Sequence, residues 1–239
     1  MKMRNCLYEP IAELFEAAML LQKAAVAHVA GDRPAAEALL AQADLPAIFQ
    51  WSEALFAGKT IQAEIKDPIF CYSNDPDRPV TVAEDDRAGG TIPPAVARQV
   101  IQRDGYFCRY CGIPVIDPKA QSHLRKAYPH GLRWGGRNID KHTAFQALDL
   151  DLDHLVPRSR GGRNSLENLI VTCAPCNCGK AHRTLREMGL NDPRERAPVV
   201  PNGFEIWDGL TLVLRKPAHA PAAGLNPSQR SEALGQSAA

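Results

Sequence analysis

The sequence predicts an α+β protein in three parts. These are a helical N-terminal domain and linker over residues 1–90, a central domain over 91–197, and a C-terminal hairpin with a disordered tail over 198–239. Apolar residues recur at helical spacing in the first part. Two Cys-x-x-Cys pairs lie within the second part and indicate a metal-stabilised core. In the third, two apolar runs flank Asp208-Gly209, a strong turn signal between strands.

The first part predicts three helices. Gly31 ends the first helix, and the Asp32-Arg33-Pro34 run caps and opens a second that continues to Ala43. Leu45-Pro46 opens a third, which stops at Gly58. We expect a small helical bundle that serves for packing or for binding a protein partner. The first helix has its apolar residues at Ile11, Leu14, Phe15, Ala18, Leu21 and Ala25.

The segment from 66 to 92 is rich in turn residues and charge, which indicates a linker and a domain boundary near residue 90. Within it, Val80-Thr81-Val82 could form a short strand. Pro93-Pro94 then opens a helix from Ala95 to Arg103.

Charge is distributed unevenly along the chain. Residues 1–97 hold 8 Lys and Arg against 14 Asp and Glu, a net charge of −6. Residues 98–198 hold 17 against 10, a net charge of +7. A basic segment suits an approach to phosphates, although a basic face can also be plain solvated surface.

The composition also bears on location. No stretch approaches the roughly 18 apolar residues of a membrane helix, and the N-terminus lacks the apolar core of a secretory signal. Seven cysteines are an odd number, and four of them fall in Cys-x-x-Cys pairs. This favours metal ligation in a reducing compartment over disulfides, so we expect a cytoplasmic protein without membrane contact.

Four cysteines predict a structural zinc site. Cys108 and Cys111 form one pair, and Cys173 and Cys176 form the other. Four thiolates are a usual ligand set of tetrahedral zinc. A redox pair or buried free thiols are the alternatives, since 61 residues between the pairs exceed a compact zinc ribbon. Cys178 is expected to be a bystander, because the pair 173/176 already has the required spacing.

Between the pairs, residues 113–147 form a long insertion rich in His, Lys, Arg and Gly. It could be a DNA-contacting loop or a solvated excursion, and the sequence does not decide between them.

The residues near the second cysteine pair suit phosphodiester hydrolysis. A histidine can take a proton from water, and oxygen ligands can hold a hard divalent cation. Asp153-His154 offers one of each, and Asn177 directly follows Cys176. On a strand, Asp153 and His154 point to opposite sides, so a bend or twist would have to bring them to one phosphate.

Taken together, these motifs resemble the HNH endonuclease family and its ββα-metal core over roughly residues 94–187. The resemblance is carried by Asp153-His154, Pro157, Gly161-Gly162, Asn168-Leu169, Cys173-x-x-Cys176-Asn177 and Lys180. The third signature position is Asn177 rather than a histidine, a variant that the family accepts.

The resemblance implies a role for each site residue. His154 would be the general base that activates water. Asp153 and Asn177 would hold one Mg²⁺ or Mn²⁺, which contacts the scissile phosphate and stabilises the departing 3′ oxygen. Asn168 would orient the loop that carries His154. The DNA backbone would be contacted by Arg158, Arg160, Lys180 and Arg183.

The expected function is therefore metal-dependent endonucleolytic cleavage of DNA. The alternative is a catalytically inactive, zinc-bound DNA-binding module. The combination of four residues argues against that alternative, because DNA binding alone does not require it. These residues are Asp153, His154, Asn168 and Asn177.

Overall fold

The fold is given by a computed structural model that describes residues 3–56 and 90–215. Its helices are α1 (Ala12–Val29), α2 (Arg33–Gln42), α3 (Pro46–Phe56), α4 (Pro94–Asp104), α5 (Pro118–Ala127), α6 (Thr143–Ala147), α7 (Ala174–Lys180) and α8 (Leu185–Met188). Its strands are β1 (Leu150–His154) and β2 (Leu169–Cys173). This confirms the predicted combination of a helical N-terminal region with a small α+β core.

The N-terminal helices form where the sequence predicts them. Asp32 caps α2 by accepting a hydrogen bond from the Ala35 amide at 3.0 Å, and Pro34 occupies the first turn, where no amide donor is needed. α1 and α2 pack on each other through small and branched apolar side chains such as Leu14 and Leu40. α3 packs on α6 and α7, so these helices cover the central core directly. Binding of a separate protein partner by these helices stays a prediction.

The centre of the fold is a ββα unit. β1 and β2 pair antiparallel, with Leu150 opposite Cys173 and His154 opposite Leu169. Every residue of β2 is buried, whereas β1 buries Leu150 and Asp153 and leaves its other three residues partly exposed. α7 begins immediately after β2, with Pro175 in its first turn. The end of β1 and the start of α7 are therefore held side by side.

The insertion of residues 113–147 is neither an extended loop nor a solvated excursion. Ile113 and Ile116 are fully buried, and α5 buries Ala120 and Leu124. Its amphipathic pattern places apolar side chains in the core and leaves basic residues outside, which is why composition alone resembled a solvated loop. Contact between its basic face and DNA stays a prediction.

The predicted C-terminal hairpin is wrong. Residues 204–210 form turns, and Thr211–Leu214 is a 3₁₀ helix. The buried residues recur every third position, which suits tight turns rather than a strand with a period of two. These buried residues are Phe204, Trp207, Leu210 and Val213.

Two contacts hold this C-terminal segment on the rest of the molecule. The Trp207 indole donates to the Val115 carbonyl at 3.0 Å, and the Phe204 ring packs on Phe15 of α1. Gly209 has a φ of +69° and lies so close to the Tyr106 ring that a Cβ atom could not fit. The Asp-Gly pair thus makes a turn, although the turn does not join two strands.

Buried residues from all three predicted parts join in one hydrophobic cluster over the described ranges. The division into three domains stays a prediction. The predicted strand at 80–82 and the predicted disordered tail from Lys216 onward lie outside the described residues. Among the helices that the structure describes, none is long and apolar enough to cross a membrane.

Candidate active site and metal centre

Two distant Cys-x-x-Cys pairs meet beside β2. The first pair lies in a tight turn after α4, where the Cys108 amide donates to the Ile113 carbonyl at 2.9 Å and Gly112 adopts a φ of +79°. The second pair ends β2 and enters α7. The four sulfur atoms lie within 4.8 Å of one another. The four cysteines are Cys108, Cys111, Cys173 and Cys176.

This cluster has the size of a tetrahedral zinc site. Zinc–sulfur bonds of about 2.3 Å require sulfur atoms about 3.8 Å apart. The Sγ atoms of Cys111 and Cys173 are 3.8 Å apart. Burial raises the pKa of Cys108, but hydrogen bonds from the other three thiols reverse this and bring it well below its usual value. Cys178 is not part of the cluster, in agreement with the expectation that it is a bystander.

An open cleft of about 620 Å³ lies at the end of β1, against α7. Three predicted catalytic and metal-binding residues, Asp153, His154 and Asn177, all line it. Adjacent residues of β1 reach the same cleft because the strand ends there and the chain turns through the 3₁₀ helix Arg158–Arg160. The remaining lining residues are Pro157, Arg158, Ser159, Ala181 and His182.

His154 is held by a neighbour that the sequence analysis did not identify. Its Nε2 lies 2.8 Å from Oδ1 of Asn164. If the carbonyl of the Asn164 amide accepts, Nε2 carries the proton and Nδ1 has a free lone pair. Burial lowers the pKa of His154, although the hydrogen bond to Asn164 and the charge of Asp153 oppose this effect. A neutral imidazole can accept a proton.

Asp153 is only 4% exposed and has two internal partners. Its Oδ2 accepts a hydrogen bond from the Tyr110 hydroxyl at 2.7 Å, and its Oδ1 pairs with Lys180 Nζ at 3.1 Å. Burial raises the pKa of Asp153, while the Lys180 charge and the Tyr110 hydrogen bond counteract that rise. Tyr110 lies between Cys108 and Cys111. Tyr110 therefore links the turn of the first cysteine pair to the Asp153 carboxylate by a direct hydrogen bond.

Asn177 is oriented by a second aspartate on β1. Its Nδ2 donates to Asp151 Oδ2 at 3.0 Å, which leaves its Oδ1 available to another ligand. Asp151 lies two residues before Asp153 and therefore on the same side of the strand. The alternation Asp-Leu-Asp in the sequence was the signal that could have identified it.

Asn168 closes the loop that follows His154. Its Oδ1 accepts from the Val156 amide at 2.9 Å, and its Nδ2 donates to the carbonyls of Val156 at 3.1 Å and Arg163 at 3.0 Å. These bonds hold both ends of the loop. This is the orienting geometry expected of Asn168, and its effect on catalysis stays a prediction.

Three of the four residues predicted to contact the DNA backbone are buried in the structure, and their contact with DNA stays a prediction. Lys180 is 0% exposed, and its Nζ binds Asp153 and the His154 carbonyl, the latter at 2.7 Å. Arg160 is 7% exposed, donates to the His182 carbonyl at 3.0 Å and faces Glu187. Arg183 is also buried. Only Arg158 lines the cleft, because α7 and the 3₁₀ turn direct the other basic side chains inward.

Comparison with known protein families identifies the segment that contains these site residues. Residues 141–192 match a family model described as HNH endonuclease. The match contains β1, β2, α7 and α8, whereas Cys108 and Cys111 lie before it and are brought to the site by the fold. No curated protein and no solved structure matches the chain.

Proposed function

We propose, from the HNH endonuclease match over residues 141–192, that the chain is a metal-dependent endonuclease that hydrolyses DNA phosphodiester bonds. One observation carries the proposal: Asp153, His154 and Asn177 line one open cleft. In the ββα unit they come from the end of β1 and the first turns of α7, so their relative positions are set by rigid elements. A base and two oxygen ligands beside a cleft are what hydrolysis of a phosphate diester requires.

In this proposal His154 acts as the general base. Asn164 holds Nε2 and leaves Nδ1 to accept the proton of a water molecule that attacks the phosphorus atom. The charge of Asp153 then stabilises the imidazolium that forms. Asn168 keeps the loop after His154 closed, so that the ring stays in position through the reaction.

Asp153 and Asn177 would hold the catalytic Mg²⁺ or Mn²⁺. A carboxylate and an amide oxygen are hard donors that fit these ions, and the open cleft leaves other positions for water and substrate oxygens. When bound, the ion would neutralise charge on the scissile phosphate and on the departing 3′ oxygen. Asp151 would keep the Asn177 amide turned so that Oδ1 faces the ion.

The four clustered cysteines would hold a structural zinc ion. Cys176 and Asn177 are adjacent in α7, so a zinc ion that fixes the first also fixes the backbone of the second. Thiolate ligation requires reduced cysteines, which supports the expected cytoplasmic location.

DNA would approach across the open side of the cleft, where Arg158 and His182 lie. The +7 charge of residues 98–198 supports a backbone-dominated contact. We therefore expect DNA affinity to fall steeply as salt concentration rises. A flat dependence in a fluorescence-anisotropy titration would contradict this mode of binding.

The test is incubation of the zinc-loaded protein with supercoiled plasmid, with Mg²⁺, with Mn²⁺ or with EDTA. We expect metal-dependent nicking or linearisation, and His154→Ala should reduce its rate by about 10²–10⁴-fold while zinc content and DNA affinity persist. Equal activity in the variant would refute the assignment of the base.

The second candidate is the inactive DNA-binding module. Its supporting observation is that both oxygens of Asp153 already have partners, Tyr110 and Lys180. If the wild-type protein binds DNA and zinc but cleaves nothing with either metal, this candidate is favoured over the nuclease.

A further inference from the structure

A second cavity, of about 400 Å³, lies among four arginines. Arg103 comes from α4, Arg109 from the turn between Cys108 and Cys111, and Arg194 and Arg196 from the chain after α8. None of the residues that line the catalytic cleft lines this cavity. The other lining residues are Asp104, Leu166, Glu167 and Pro198.

The most informative residue of this cavity is Arg109. It is 6% exposed, and its Nε and Nη1 atoms are buried without a hydrogen-bond partner. The nearest carboxylate oxygen, Oδ1 of Asp104, lies 3.7 Å from Nε, beyond hydrogen-bonding distance. A buried guanidinium with two unused donor atoms is costly unless an anion completes its environment.

The acidic neighbours do not meet this need. Asp104 accepts from Arg103 at 2.8 and 2.7 Å and from the Val171 amide at 2.9 Å, so its oxygens are engaged elsewhere. Glu167 is exposed. Asp192 lies outside the lining but pairs with Arg194, so the four arginines exceed the three nearby carboxylates by one positive charge. A bound oxyanion would supply negative charge beside Arg109.

We propose that this arginine cavity is a binding site for a phosphate group. The two unused donor atoms of Arg109 suit the oxygens of a phosphate group. The other three arginines already donate to protein acceptors and would contribute mainly positive charge. The group could be free phosphate or a phosphate of a DNA backbone. The DNA form rests on the proposed function, whereas the phosphate site does not.

The cavity also adjoins the loop that serves the catalytic cleft. Arg103 donates to the carbonyls of Leu166 and Leu169, both at 2.6 Å, and Arg194 donates to that of Glu167 at 3.0 Å. Asn168, which closes the loop after His154, lies within this segment. A backbone phosphate in the cavity would therefore place the substrate strand against the segment that orients the general base.

The first experiment measures thermal unfolding of the zinc-loaded, full-length chain in inorganic phosphate against chloride at equal ionic strength. We expect phosphate to raise the Tm of the wild type and of Arg98→Met, a control at an exposed position of α4. In Arg109→Met the dependence should be lost, with apparent phosphate affinity weakened by about tenfold or more. Arg194→Met should weaken it as well.

Arg194→Met decides the question if Arg109→Met does not fold, because Arg194 is half exposed and less embedded in the core. Zinc content must equal that of the wild type in each variant compared. No phosphate-specific shift in the wild type, or equal shifts in the arginine variants, would overturn the proposal.

The second experiment distinguishes the sources of the phosphate. Binding of a labelled duplex is measured without Mg²⁺ or Mn²⁺, so that no cleavage is required. Weaker binding by Arg194→Met than by Arg98→Met assigns the cavity to a DNA backbone phosphate. Equal DNA binding, with the phosphate-dependent Tm shift lost, assigns it to free phosphate. A catalytically inactive protein would leave the phosphate measurement unchanged.

Discussion

The cysteine cluster and the cleft proposed as the active site both use residues of helix α7, but their side chains are held in place in different ways. Cys176 and Asn177 are neighbours in that helix, and one faces the sulfur cluster while the other lines the cleft. The cluster is made of four equivalent sulfur atoms that lie in or against the core. In the cleft, each site residue has a different hydrogen-bond partner of its own: Asn164 for His154, Lys180 and Tyr110 for Asp153, and Asp151 for Asn177.

The difference shows what specifies each kind of site. A closed metal centre is specified by residue type and spacing, because its ligands need only meet one another. An open site also needs supporting residues that fix the orientation and charge of each group that faces solvent. Tyr110 connects the two sites, because it lies between Cys108 and Cys111 and its hydroxyl donates a hydrogen bond to Asp153.

The largest effect is expected from breaking the cysteine cluster. Cys176→Ser should abolish zinc binding, and because structural zinc contributes on the order of 10 kcal/mol in small zinc domains, it should unfold the central core. Cleavage should be lost with it. Zinc content by atomic absorption, with thermal unfolding, measures the result. Cys178→Ser, two residues away and outside the cluster, is the control and should retain zinc. Normal zinc content in Cys176→Ser would refute the four-cysteine site.

The same contrast explains what the sequence could predict. Motifs that are local in sequence identified the four clustered cysteines. Such motifs also identified Asp153, His154 and Asn177, which line the cleft. Tyr110 and Asn164 could not be identified as supporting residues, because their partners lie 43 and 10 residues away and depend on tertiary packing. The burial of Lys180 could not be predicted, because basic composition does not reveal which side of a short helix is buried.

The fold shows the same limit. Local signals predicted α1 through the helical spacing of its apolar residues, and α2 through its Asp32 cap and Pro34. The hairpin prediction failed because an Asp-Gly turn was given more weight than the three-residue spacing of Phe204, Trp207 and Leu210. The spacing becomes informative only once it is known that these side chains pack on α1 and on the insertion of residues 113–147.

The next largest effect is expected within the cleft's buried ion pair. Lys180→Met leaves Asp153 buried beside Tyr110 without its cation, and removal of one partner from such a pair typically costs about 3–5 kcal/mol. We expect lower stability in urea unfolding and strongly reduced cleavage, with zinc retained. Lys119→Met, at an exposed position of α5, is the matched control. Stability within about 0.5 kcal/mol of wild type would show that the pair contributes little.

A smaller effect on stability, with a clear effect on activity, is expected at Asn168. Asn168→Ala removes three hydrogen bonds that close the loop after His154. We expect cleavage to fall by about tenfold to a hundredfold, as for other residues that orient a catalytic group. Zinc content should not change. Asn138→Ala, which loses one hydrogen bond to Glu53 far along the chain, should keep its activity. Equal plasmid cleavage rates for the two variants would remove Asn168 from the site.

The smallest effect is expected at His142, a buried polar side chain that belongs to neither site. Its effect on stability can be compared with the effects of changes within the two sites. Its Nε2 lies 2.8 Å from the Leu40 carbonyl, and its Nδ1 accepts from the Phe145 amide, which together require a neutral ring. Burial lowers the pKa of His142 below its usual 6.5. The unfolded chain therefore binds a proton first as the pH falls, so this contribution is complete above pH 6.5 and declines below it.

Urea unfolding at a series of pH values measures this contribution. The difference in the free energy of unfolding between the wild type and His142→Gln should change as the pH falls below about 6.5, because only the wild type loses the contribution of the neutral ring there. Other groups keep the variant pH-dependent, because burial lowers the pKa values of His28 and His154 and raises the pKa of Asp149 to about 7. His130→Gln, at an exposed position, should preserve the wild-type profile. If the free energy of unfolding of His142→Gln depends on pH as that of the wild type does, the fold accommodates protonation of this ring. A buried polar side chain outside the two sites would then contribute less to stability than the buried pair of Lys180 and Asp153.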